Sequence, residues 1–577
     1  MRRANSRNVR RPRLAKHAAA WLGLLAFAPG GASALDQSKL APGADHEQAH
    51  ADSQGQGVGV AVIEAPESGS GDKNIAAGDH HFDSRVIEAR NFAGTSPPLG
   101  SLPAQASGNG SAHAALVGDV ALSDDPTYTG VAKQGEFFGG WTVSYNEDRA
   151  AFDIFERSEG VYIFNTSWGA GTNTNGTSAY SLFFDWFATN KDVMIFKSAG
   201  NTGGQITIPG DAFNIVTVGG LDETGGVFER RRSSSSYRLS SDDGSAPDER
   251  GKPEIVAPGE SISNGFITQT GTSHAAPHLA GISALLVEAG LALPGPALRS
   301  RLAHKAILLN SARKRFINAP DASDAVALDY FSTDGQPSDG DYLEAGGTLR
   351  SGTSAAAPGT ENWTPSSWDY TAGLFTTARP LDDELGAGVA DARRALLQHA
   401  GGEQDPGEVT AIGWNRDCLA SGSHSYTLNG KASEGEFLTA TLAWDRAVDS
   451  SDGDQSVEAS DSYFHHVGGL GFLPDFDLEI REVGGSGTTL VAKSLGAGGA
   501  LTGQNVEHLH VPLPNRGTYQ VRVILDGSGP DCIDYGLAWW APQIVAVPSA
   551  HPFTRAGLAL LLVAIAATQL GQRGRRA

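Results

Sequence analysis

A serine stands at the start of a predicted helix, in the run Gly-Thr-Ser-His-Ala-Ala-Pro-His-Leu-Ala-Gly of residues 271–281. Pro277 suits a first helical turn, because the N–H that proline lacks would have no partner there. Apolar side chains then recur at helical spacing, at Leu279, Ile282, Leu285 and Leu286. Gly290 follows them and suits a C-cap. A helix N-terminus favours negative charge that develops nearby. The pattern therefore predicts that Ser273 is a nucleophile.

The run around Ser273 resembles the motif Gly-Thr-Ser-x-Ala-x-Pro-x-x-Ala-Gly of the subtilisin-like serine peptidases, the subtilases. Residues 252–259 read Lys-Pro-Glu-Ile-Val-Ala-Pro-Gly and resemble the segment that precedes this motif in the family. An ordinary loop and buried helix is the alternative interpretation. A second Gly-Thr-Ser run contains Ser354, but no such segment precedes it. We interpret that run as a loop in an insertion between about residues 317 and 380.

Continuous apolar runs predict strands that are buried on both faces of a parallel sheet, at residues 57–64, 161–164, 193–196 and 215–218. Helical segments follow, among them 181–191 and 300–311. Alternation of this kind predicts an α/β layer architecture that binds ligands at the carboxyl ends of its strands. The resemblance implies a subtilisin-like three-layer domain with a mostly parallel sheet over residues 56–400.

Glu64 ends the first predicted strand, where subtilases typically have an aspartate that orients the catalytic histidine. A glutamate carries the same charge one methylene further out, so it can accept the imidazole N–H if the backbone or histidine shifts by about an ångström. Asp79 and Asp83 are rival acids, and a glutamate that caps the next turn is a further alternative. Residues 80–86 resemble the segment downstream of the family's acid, so we assign the role to Glu64.

His113 lies between Glu64 and Ser273 in the chain, within a run that resembles the subtilase motif His-Gly-Thr-x-Val-Ala-Gly. Only the histidine and valine of that motif are kept. The resemblance implies that His113 is the general base toward Ser273 and then the general acid toward the leaving amine. A structural histidine is the alternative. His274 and His278 flank the serine, and we interpret both as packing or rim residues.

Two further segments resemble substrate-contacting parts of subtilases. Residues 197–204 resemble the Ala-Ala-Gly-Asn motif, which implies that Asn201 donates to the oxyanion together with the Ser273 N–H. The alternative is a turn asparagine. Residues 165–169 resemble the segment that pairs with an extended substrate by strand addition. The resemblance thus assigns substrate binding to six residues: Ser167, Trp168, Gly169, Ser198, Ala199 and Gly200.

Residues 401–545 differ in character, with alternating β-rich runs and glycine-rich turns that predict a C-terminal β-sandwich domain. The only two cysteines, Cys418 and Cys532, bracket this region, and we expect one disulfide between its first and last strands. The segment from Asp449 to Asp461 is rich in Asp and Ser. We favour a solvated loop there, with a structural calcium site as the alternative, and we expect no other metal or cofactor.

Both ends of the chain carry predicted targeting segments. Residues 1–34 have a basic region, a short apolar run and an Ala-x-Ala-like site, which predict a signal peptide followed by a linker at 35–55. Residues 546–577 combine an apolar run with terminal arginines, which resembles bacterial sorting or anchoring tails; a buried terminal helix is the alternative. We therefore expect an exported protein in the periplasm, at the cell surface or outside the cell, with membrane attachment through its tail.

The formal net charge of −22 argues against nucleic acid as a partner. The sequence therefore predicts a monomeric, exported serine endopeptidase that acts on polypeptides through an acyl-enzyme, with Glu64, His113 and Ser273 as its triad. The alternative class is a catalytically inactive subtilase scaffold that binds partners at the cell envelope, since the acid and the histidine motif both depart from the family pattern.

Overall fold

A computed structural model describes residues 49–65, 80–92, 112–237, 250–291, 300–314 and 363–541, apart from 51, 83–84, 172–174, 225–226, 364–366, 372, 459, 467–472, 486 and 495–502. The predicted signal peptide, most of the linker and most of the insertion lie outside the described residues. So do residues 542–577, which include the last four residues of the predicted β region and the whole predicted C-terminal tail. Asp79, Asp83 and Ser354 also lie outside the described residues. Among those described, no helix is both long and apolar enough to cross a membrane.

A parallel sheet forms the centre of the N-terminal part, in the strand order β2-β3-β1-β4-β5-β6-β7, with β8 also paired to β6. Every pairing in it is parallel except that of β6 with β7. Its strands are β1 (Gly59–Glu64), β2 (Val86–Asn91), β3 (Glu136–Trp141), β4 (Ile163–Thr166), β5 (Met194–Ser198), β6 (Val216–Thr224), β7 (Val227–Arg231) and β8 (Ile255–Pro258). The four apolar runs that predicted strands each form part of one, and the predicted parallel sheet is confirmed.

Helices cover this sheet and complete the three layers. They are α1 (Ala112–Leu122), α2 (Tyr145–Glu159), α3 (Ala179–Lys191), α4 (Thr272–Leu291), α5 (Arg301–Asn310) and α6 (Ala392–Ala400). Helix α4 is the central one, packed against α1 and several sheet strands and buried along nearly its whole length. Before it, β9 (Ile262–Ser263) and β10 (Thr268–Gln269) form a small antiparallel hairpin.

Helix α4 begins earlier than the sequence pattern predicts. It starts at Thr272, so Ser273 lies within the first turn and Pro277 lies one turn further in. A proline in that position removes the N–H that would bond to the carbonyl four residues earlier, here that of Ser273. The hydroxyl of Ser167 donates to this carbonyl instead, at 2.8 Å. The helix therefore tolerates Pro277 because a distant strand end supplies the missing donor.

The C-terminal part is mostly β, as predicted, and its two layers belong to one hydrogen-bonded sheet. Its strands are β11 (Ser367–Thr371), β12 (Leu374–Arg379), β13 (Gly407–Val409), β14 (Ile412–Leu428), β15 (Phe437–Trp444), β18 (Asp475–Gly484), β19 (Gly487–Ser494), β20 (Val506–Pro512) and β21 (Thr518–Trp540), with β16 (Val448–Ser450) and β17 (Tyr463–His465) as a separate hairpin. The first half of β21 pairs with β18 and its last residues pair with β15. One long strand thus serves both layers.

A disulfide joins Cys418 on β14 to Cys532 on β21. These two strands are antiparallel neighbours over most of their length, and their register shifts near Ser421. Strands β11 and β12, which precede residue 400, also belong to this sheet, because β12 pairs with β19.

The two parts of the chain pack closely on each other through α5, which contacts β15 and β21. Charged pairs are buried at this contact: Arg301 bonds to Asp445, and Arg446 bonds to Asp185. Asn214 adds two bonds to Arg446, since its Nδ2 donates to the Arg446 carbonyl and its Oδ1 accepts from the Arg446 N–H, both at 2.8 Å. Buried charged pairs and directed hydrogen bonds therefore hold the two parts of the chain together.

Candidate active site

Ser273 lies at the carboxyl edge of the parallel sheet, where α4 begins against the end of β4. Its hydroxyl donates to the carbonyl oxygen of Ser167 at 3.0 Å, and the Ser167 hydroxyl donates back to the Ser273 carbonyl. These reciprocal bonds tie the first turn of the helix to the strand end. Ser273 is nearly buried, with 8% of its surface exposed.

Glu64 and His113 form a hydrogen-bonded pair. Glu64 is the last residue of β1 and is buried, while His113 lies in the first turn of α1 and is partly exposed. Nδ1 of His113 lies 2.8 Å from Oε2 of Glu64. A carboxylate accepts only, so Nδ1 carries the proton and Nε2 is left as the basic nitrogen. This is the tautomer that a general base toward a serine needs.

The His113 ring faces the start of α4. Its centroid lies 5.3 Å from that of His274, the residue next to Ser273. The hydroxyl of Ser273 and the ring of His113 make no hydrogen bond to each other within the described residues, because the hydroxyl is turned to Ser167. Bonds between nucleophile and base are often looser before substrate binds. The structure thus brings Glu64, His113 and Ser273 to one edge of the sheet, with the His113 ring beside the residue that follows Ser273.

The two flanking histidines are buried in α4. His278 uses Nδ1 in a 2.9 Å bond to the carbonyl oxygen of His274. Burial lowers the pKa of His274 well below its ordinary value, and the neighbouring His113 adds to this effect. His274 is therefore a weaker base than an ordinary histidine, which disfavours it as the acceptor of the Ser273 proton.

Thr142 links the main chain of Glu64 to a second buried carboxyl group, that of Asp148. Thr142 donates its N–H to the carbonyl of Glu64 at 3.0 Å and its hydroxyl to Oδ1 of Asp148 at 2.6 Å. Burial raises the pKa of Asp148 to about 7, so this group holds its proton far more tightly than an ordinary aspartate. The arrangement holds the end of β1 in place without adding a full negative charge beside Glu64.

Asn201 is exposed and follows β5 by three residues. Its Oδ1 accepts from the N–H of Thr272 at 2.9 Å and from the Thr272 hydroxyl at 3.2 Å. The Thr272 hydroxyl in turn accepts from the N–H of Gly200 at 3.0 Å. With Oδ1 occupied in this way, the amide Nδ2 is the end of the side chain available to a ligand. Asn201 and the first turn of α4 are thereby locked together.

The two predicted substrate-binding segments begin where β4 and β5 stop pairing, after Thr166 and Lys197. The first segment is Ser167, Trp168 and Gly169, and the second is Ser198, Ala199 and Gly200. The first is bonded to Ser273 through Ser167, and the second is bonded to Thr272 through Gly200. Gly200 has a φ of 114°, which L side chains rarely adopt, so this turn requires glycine.

Lys197 pairs with Thr166 at the end of the β4–β5 ladder and is wholly buried. Its ammonium donates to the carbonyl of Ser198 at 2.7 Å and to the Ser198 hydroxyl at 2.9 Å, and it lies 5.9 Å from the centre of the Trp168 ring. Burial lowers the pKa of Lys197 to about 7, against the opposite pull of the Glu64 and Asp211 carboxylates. No carboxylate within the described residues forms an ion pair with it.

One acidic cluster has the geometry to hold a cation. Ligand oxygens of Asp452, Glu458 and Asp461 all lie within 4.8 Å of one another, inside the segment where the sequence left a calcium site as an alternative. Asp461 also lies 3.5 Å from the guanidinium of Arg149 and accepts from the N–H of Glu458. The cluster thus already has a positive partner, and we assign no metal to it.

The sequence motifs did not single out two residues of this site, Lys197 and Asp148. Lys197 could have been noticed as a lysine that directly continues a buried strand run. Nothing in the sequence marks Asp148, because its role depends on Thr142, whose N–H reaches the Glu64 carbonyl only after folding.

The parallel sheet, its helices and the glutamate–histidine–serine cluster at the sheet edge define the class: an α/β protein with the side-chain set of a serine hydrolase. Sequence comparison supports this class. Residues 106–326 match the subtilase family. The resemblance seen in the motifs is thereby confirmed for this part of the chain.

Individual relatives are distant. The chain is similar to the thermostable alkaline protease of Halalkalibacterium halodurans, with 26% identity over 268 residues. The aligned region spans 44% of this chain and 64% of that protein, so the chain matches less than two thirds of the relative's length. It is 25% identical over 268 residues to subtilisin Savinase of Lederbergia lenta, covering 44% of this chain and 86% of that protein. The solved structure of the prenylagaramide maturation protease PagA aligns at 20% identity with a TM-score of 0.35, covering 47% of this chain and 89% of that one.

Proposed function

We propose that this protein is a serine endopeptidase that hydrolyses polypeptides through an acyl-enzyme intermediate. The match of residues 106–326 to the subtilase family supports the peptidase class. The observation that carries the assignment of residues is the 2.8 Å bond between Nδ1 of His113 and Glu64, because a proton on Nδ1 makes Nε2 the basic nitrogen of a ring that lies beside His274, the neighbour of Ser273.

In the proposed mechanism, the Ser273 hydroxyl turns from the Ser167 carbonyl to His113 when a substrate enters. His113 removes the proton as the Ser273 oxygen attacks the scissile carbonyl carbon. Glu64 keeps the imidazole in the required tautomer and stabilises the imidazolium. The tetrahedral intermediate then collapses, His113 gives its proton to the leaving amine, and a water molecule hydrolyses the resulting ester by the same steps.

Asn201 is the proposed oxyanion donor, together with the N–H of Ser273. Its bonds to Thr272 hold the side chain still before the reaction, so no reorganisation is needed as charge develops. The strand ends at 167–169 and 198–200 would hold the substrate main chain by strand addition. Unfolded or flexible polypeptide segments are therefore the proposed substrates.

We also propose that the protein acts outside the cytoplasm. The predicted signal peptide at 1–34 and the disulfide between Cys418 and Cys532 support this location, because disulfides persist in oxidising compartments. Anchoring through residues 546–577 and the division into a peptidase domain at 56–400 and an accessory domain at 401–545 remain parts of the same proposal.

Covalent labelling with a fluorophosphonate tests the function on the full chain. We expect the wild type and the Ser354→Ala control to be labelled and Ser273→Ala to be unlabelled, with the adduct on Ser273 by mass spectrometry. Loss of labelling in Ser354→Ala would show that the serine is misassigned. A folded wild type that resists the probe and cleaves no unfolded protein would favour the inactive, partner-binding scaffold instead.

A further inference from the structure

We propose that Trp141 is a positioning residue: during the reaction its indole N–H donates to Oε1 of Glu64 and holds that carboxylate against His113 as the imidazolium forms. This inference rests on the proposed peptidase function, because it adds a residue to the same site. In this role Trp141 acts through Glu64 and not on the reacting atoms.

The carboxylate of Glu64 and the indole of Trp141 each lack one hydrogen bond. Glu64 uses Oε2 for its 2.8 Å bond to Nδ1 of His113, whereas its Oε1 is buried and has no partner within the described residues. The Nε1 of Trp141 is also buried, and no acceptor in the described part of the chain receives its proton. A carboxylate oxygen accepts and an indole N–H donates, so the two atoms are complementary. Either atom is costly to leave unpaired in a protein interior.

The register of the parallel sheet places the two residues side by side. Strands β1 and β3 are neighbours, and Glu64 pairs with Trp141 at the last position of both strands. Side chains alternate between the two faces along a strand, and the register decides which side chains of neighbouring strands share a face. The pairing therefore puts Glu64 and Trp141 on the same face of the sheet.

Contacts of other residues show that α1 covers this face. A Cβ atom built on Gly118 of α1 would lie 3.0 Å from the ring of Phe137, so Phe137 faces α1. Trp141 lies four positions further along β3 and faces the same way. Glu64 faces the same helix, since it bonds to His113 in the first turn of α1. Both side chains thus lie between the sheet and α1, and a turn of the indole is the movement that joins its N–H to Oε1.

The indole N–H of Trp168 is buried and lacks an acceptor among the described residues as well, but it lies on the other face. Its ring packs edge-on against Phe184 of α3, and α3 packs against α2. Helix α2 covers the opposite face of the sheet, because a Cβ built on Gly140, the residue before Trp141, would lie 3.1 Å from the ring of Phe155 on α2. The N–H of Trp168 is therefore on the wrong side of the sheet for this role.

His274 is the rival donor on the correct face. Its Nδ1 is buried and has no partner within the part of the chain that the structure describes, and its ring centroid lies 5.3 Å from that of His113. However, His274 belongs to α4, whereas Trp141 is the strand partner of Glu64 itself. A loss of kcat in His274→Phe that disappears when Glu64 is shortened would assign the role to His274 and overturn the proposal.

The test is a double-mutant cycle between positions 64 and 141 in the full chain, measured with a peptide p-nitroanilide that the wild type cleaves. Trp141→Phe keeps an aromatic ring and removes the N–H. We expect it to lower kcat about 10-fold or more and to change KM less than about 2-fold, which is the order of effect of a hydrogen bond to a charged group. Glu64→Asp withdraws the carboxylate from the indole. In that background we expect Trp141→Phe to lower kcat less than about 3-fold.

Trp540→Phe is the matched control, because the N–H of Trp540 is likewise buried without a partner among the described residues but lies on β21 of the C-terminal sheet. We expect it to have the kcat and KM of the wild type. Benzothienylalanine at position 141 has the shape of tryptophan with sulfur in place of the N–H, and it decides the outcome should Trp141→Phe not fold.

Wild-type kcat in a folded Trp141→Phe overturns the proposal, as does an equal loss of kcat with Glu64 and with Asp at position 64. A change confined to KM also overturns it, since Trp141 would then contact the substrate. Absence of both fluorophosphonate labelling and cleavage in the wild type would instead overturn the proposed function.

Discussion

Glu64 shows how one methylene group is accommodated at the end of a strand. Its carboxylate reaches Nδ1 of His113 at 2.8 Å, while its main-chain carbonyl accepts from the N–H of Thr142. The second carboxylate oxygen, Oε1, is buried and has no hydrogen-bond partner within the described residues. The orientation of the carboxylate therefore depends mainly on His113, and a change at Glu64 acts directly on the imidazole.

We expect Glu64→Gln to lower kcat by roughly 10³–10⁴-fold, because an amide NH₂ facing Nδ1 would favour the wrong imidazole tautomer. Glu64→Asp keeps the charge but is shorter, so it should lose less activity than Glu64→Gln and more than a conservative surface change. Steady-state kinetics with a peptide p-nitroanilide measure both, and thermal unfolding checks that the fold is intact. A Glu64→Gln enzyme with wild-type kcat would remove Glu64 from the proposed triad.

We expect Lys197 to make the free energy of unfolding depend on pH, and the burial of this lysine sets the direction of the change. Burial lowers its pKa to about 7, against an ordinary value of 10.5. Between these values the unfolded chain binds a proton that the folded chain has released, so raising the pH favours the folded state. The free energy of unfolding of the wild type should therefore rise, relative to Lys197→Met, by up to about 1.4 kcal/mol per pH unit between pH 7 and pH 10.

Chemical denaturation of the two proteins across this range measures that difference. Lys252 is also buried, with its pKa lowered to about 7, but it is present in both proteins, so its contribution cancels in the comparison. Equal pH slopes for wild type and Lys197→Met would mean that the folded protein keeps Lys197 protonated throughout the range.

At the level of single elements, the sequence predicts what local patterns determine. Buried apolar runs predict β1, β4, β5 and β6. Residues at the ends of these runs, or just after them, reach the site, and Glu64 is one of them. The start of α4 differs from the prediction because the bond that Pro277 removes is replaced by Ser167, a residue 106 positions away from Ser273.

The contact between α3 and the end of β15 depends on a buried charge pair. Arg446 bonds to Asp185 and donates to the carbonyl of Gly176 at 2.9 Å, and both charged side chains are almost fully buried. We expect Arg446→Met to lower the free energy of unfolding by about 3–5 kcal/mol, because it leaves the Asp185 carboxylate buried without its cation. The double variant Asp185→Asn/Arg446→Met should recover part of this loss.

An exposed ion pair provides the control for that measurement. Arg157 pairs with Asp153 one turn away on α2, and the Arg157 side chain is half exposed. Arg157→Met should change the free energy of unfolding by about 1 kcal/mol or less. Urea denaturation of the variants reports all of these values. Equal losses for Arg446→Met and Arg157→Met would contradict a special role for the buried pair.

On the scale of the whole molecule, the C-terminal sheet is joined to the parallel sheet by the same kinds of contact that hold each part together. Asn310 on α5 donates to Gln398 on α6 and accepts from the hydroxyl of Thr441 on β15. Gln398 then donates to the carbonyls of Gly413 and Trp539. A buried polar chain of this kind is costly when any member is missing. Composition and turn spacing predict the β region, but they carry no information on this contact.

We therefore expect that a chain ending at residue 401 does not fold into an active protein. The truncation exposes the apolar face of α5 and leaves Arg301, Asn310, Asp185 and Gln398 buried or half-buried without their partners on the C-terminal strands. Strand β12 also loses β19, its neighbour in the sheet. Each lost hydrogen bond or ion pair costs about 0.5–3 kcal/mol, so these losses, added to the exposed apolar surface of α5, are comparable to the usual stability of about 5–15 kcal/mol. A chain ending at residue 541 keeps all of these contacts and is the matched control.

Solubility, circular dichroism and fluorophosphonate labelling compare the two truncated chains, and we expect only the longer chain to be folded and labelled. A soluble chain ending at 401 that is labelled at the same rate as the control would show instead that the C-terminal sheet is a dispensable accessory domain.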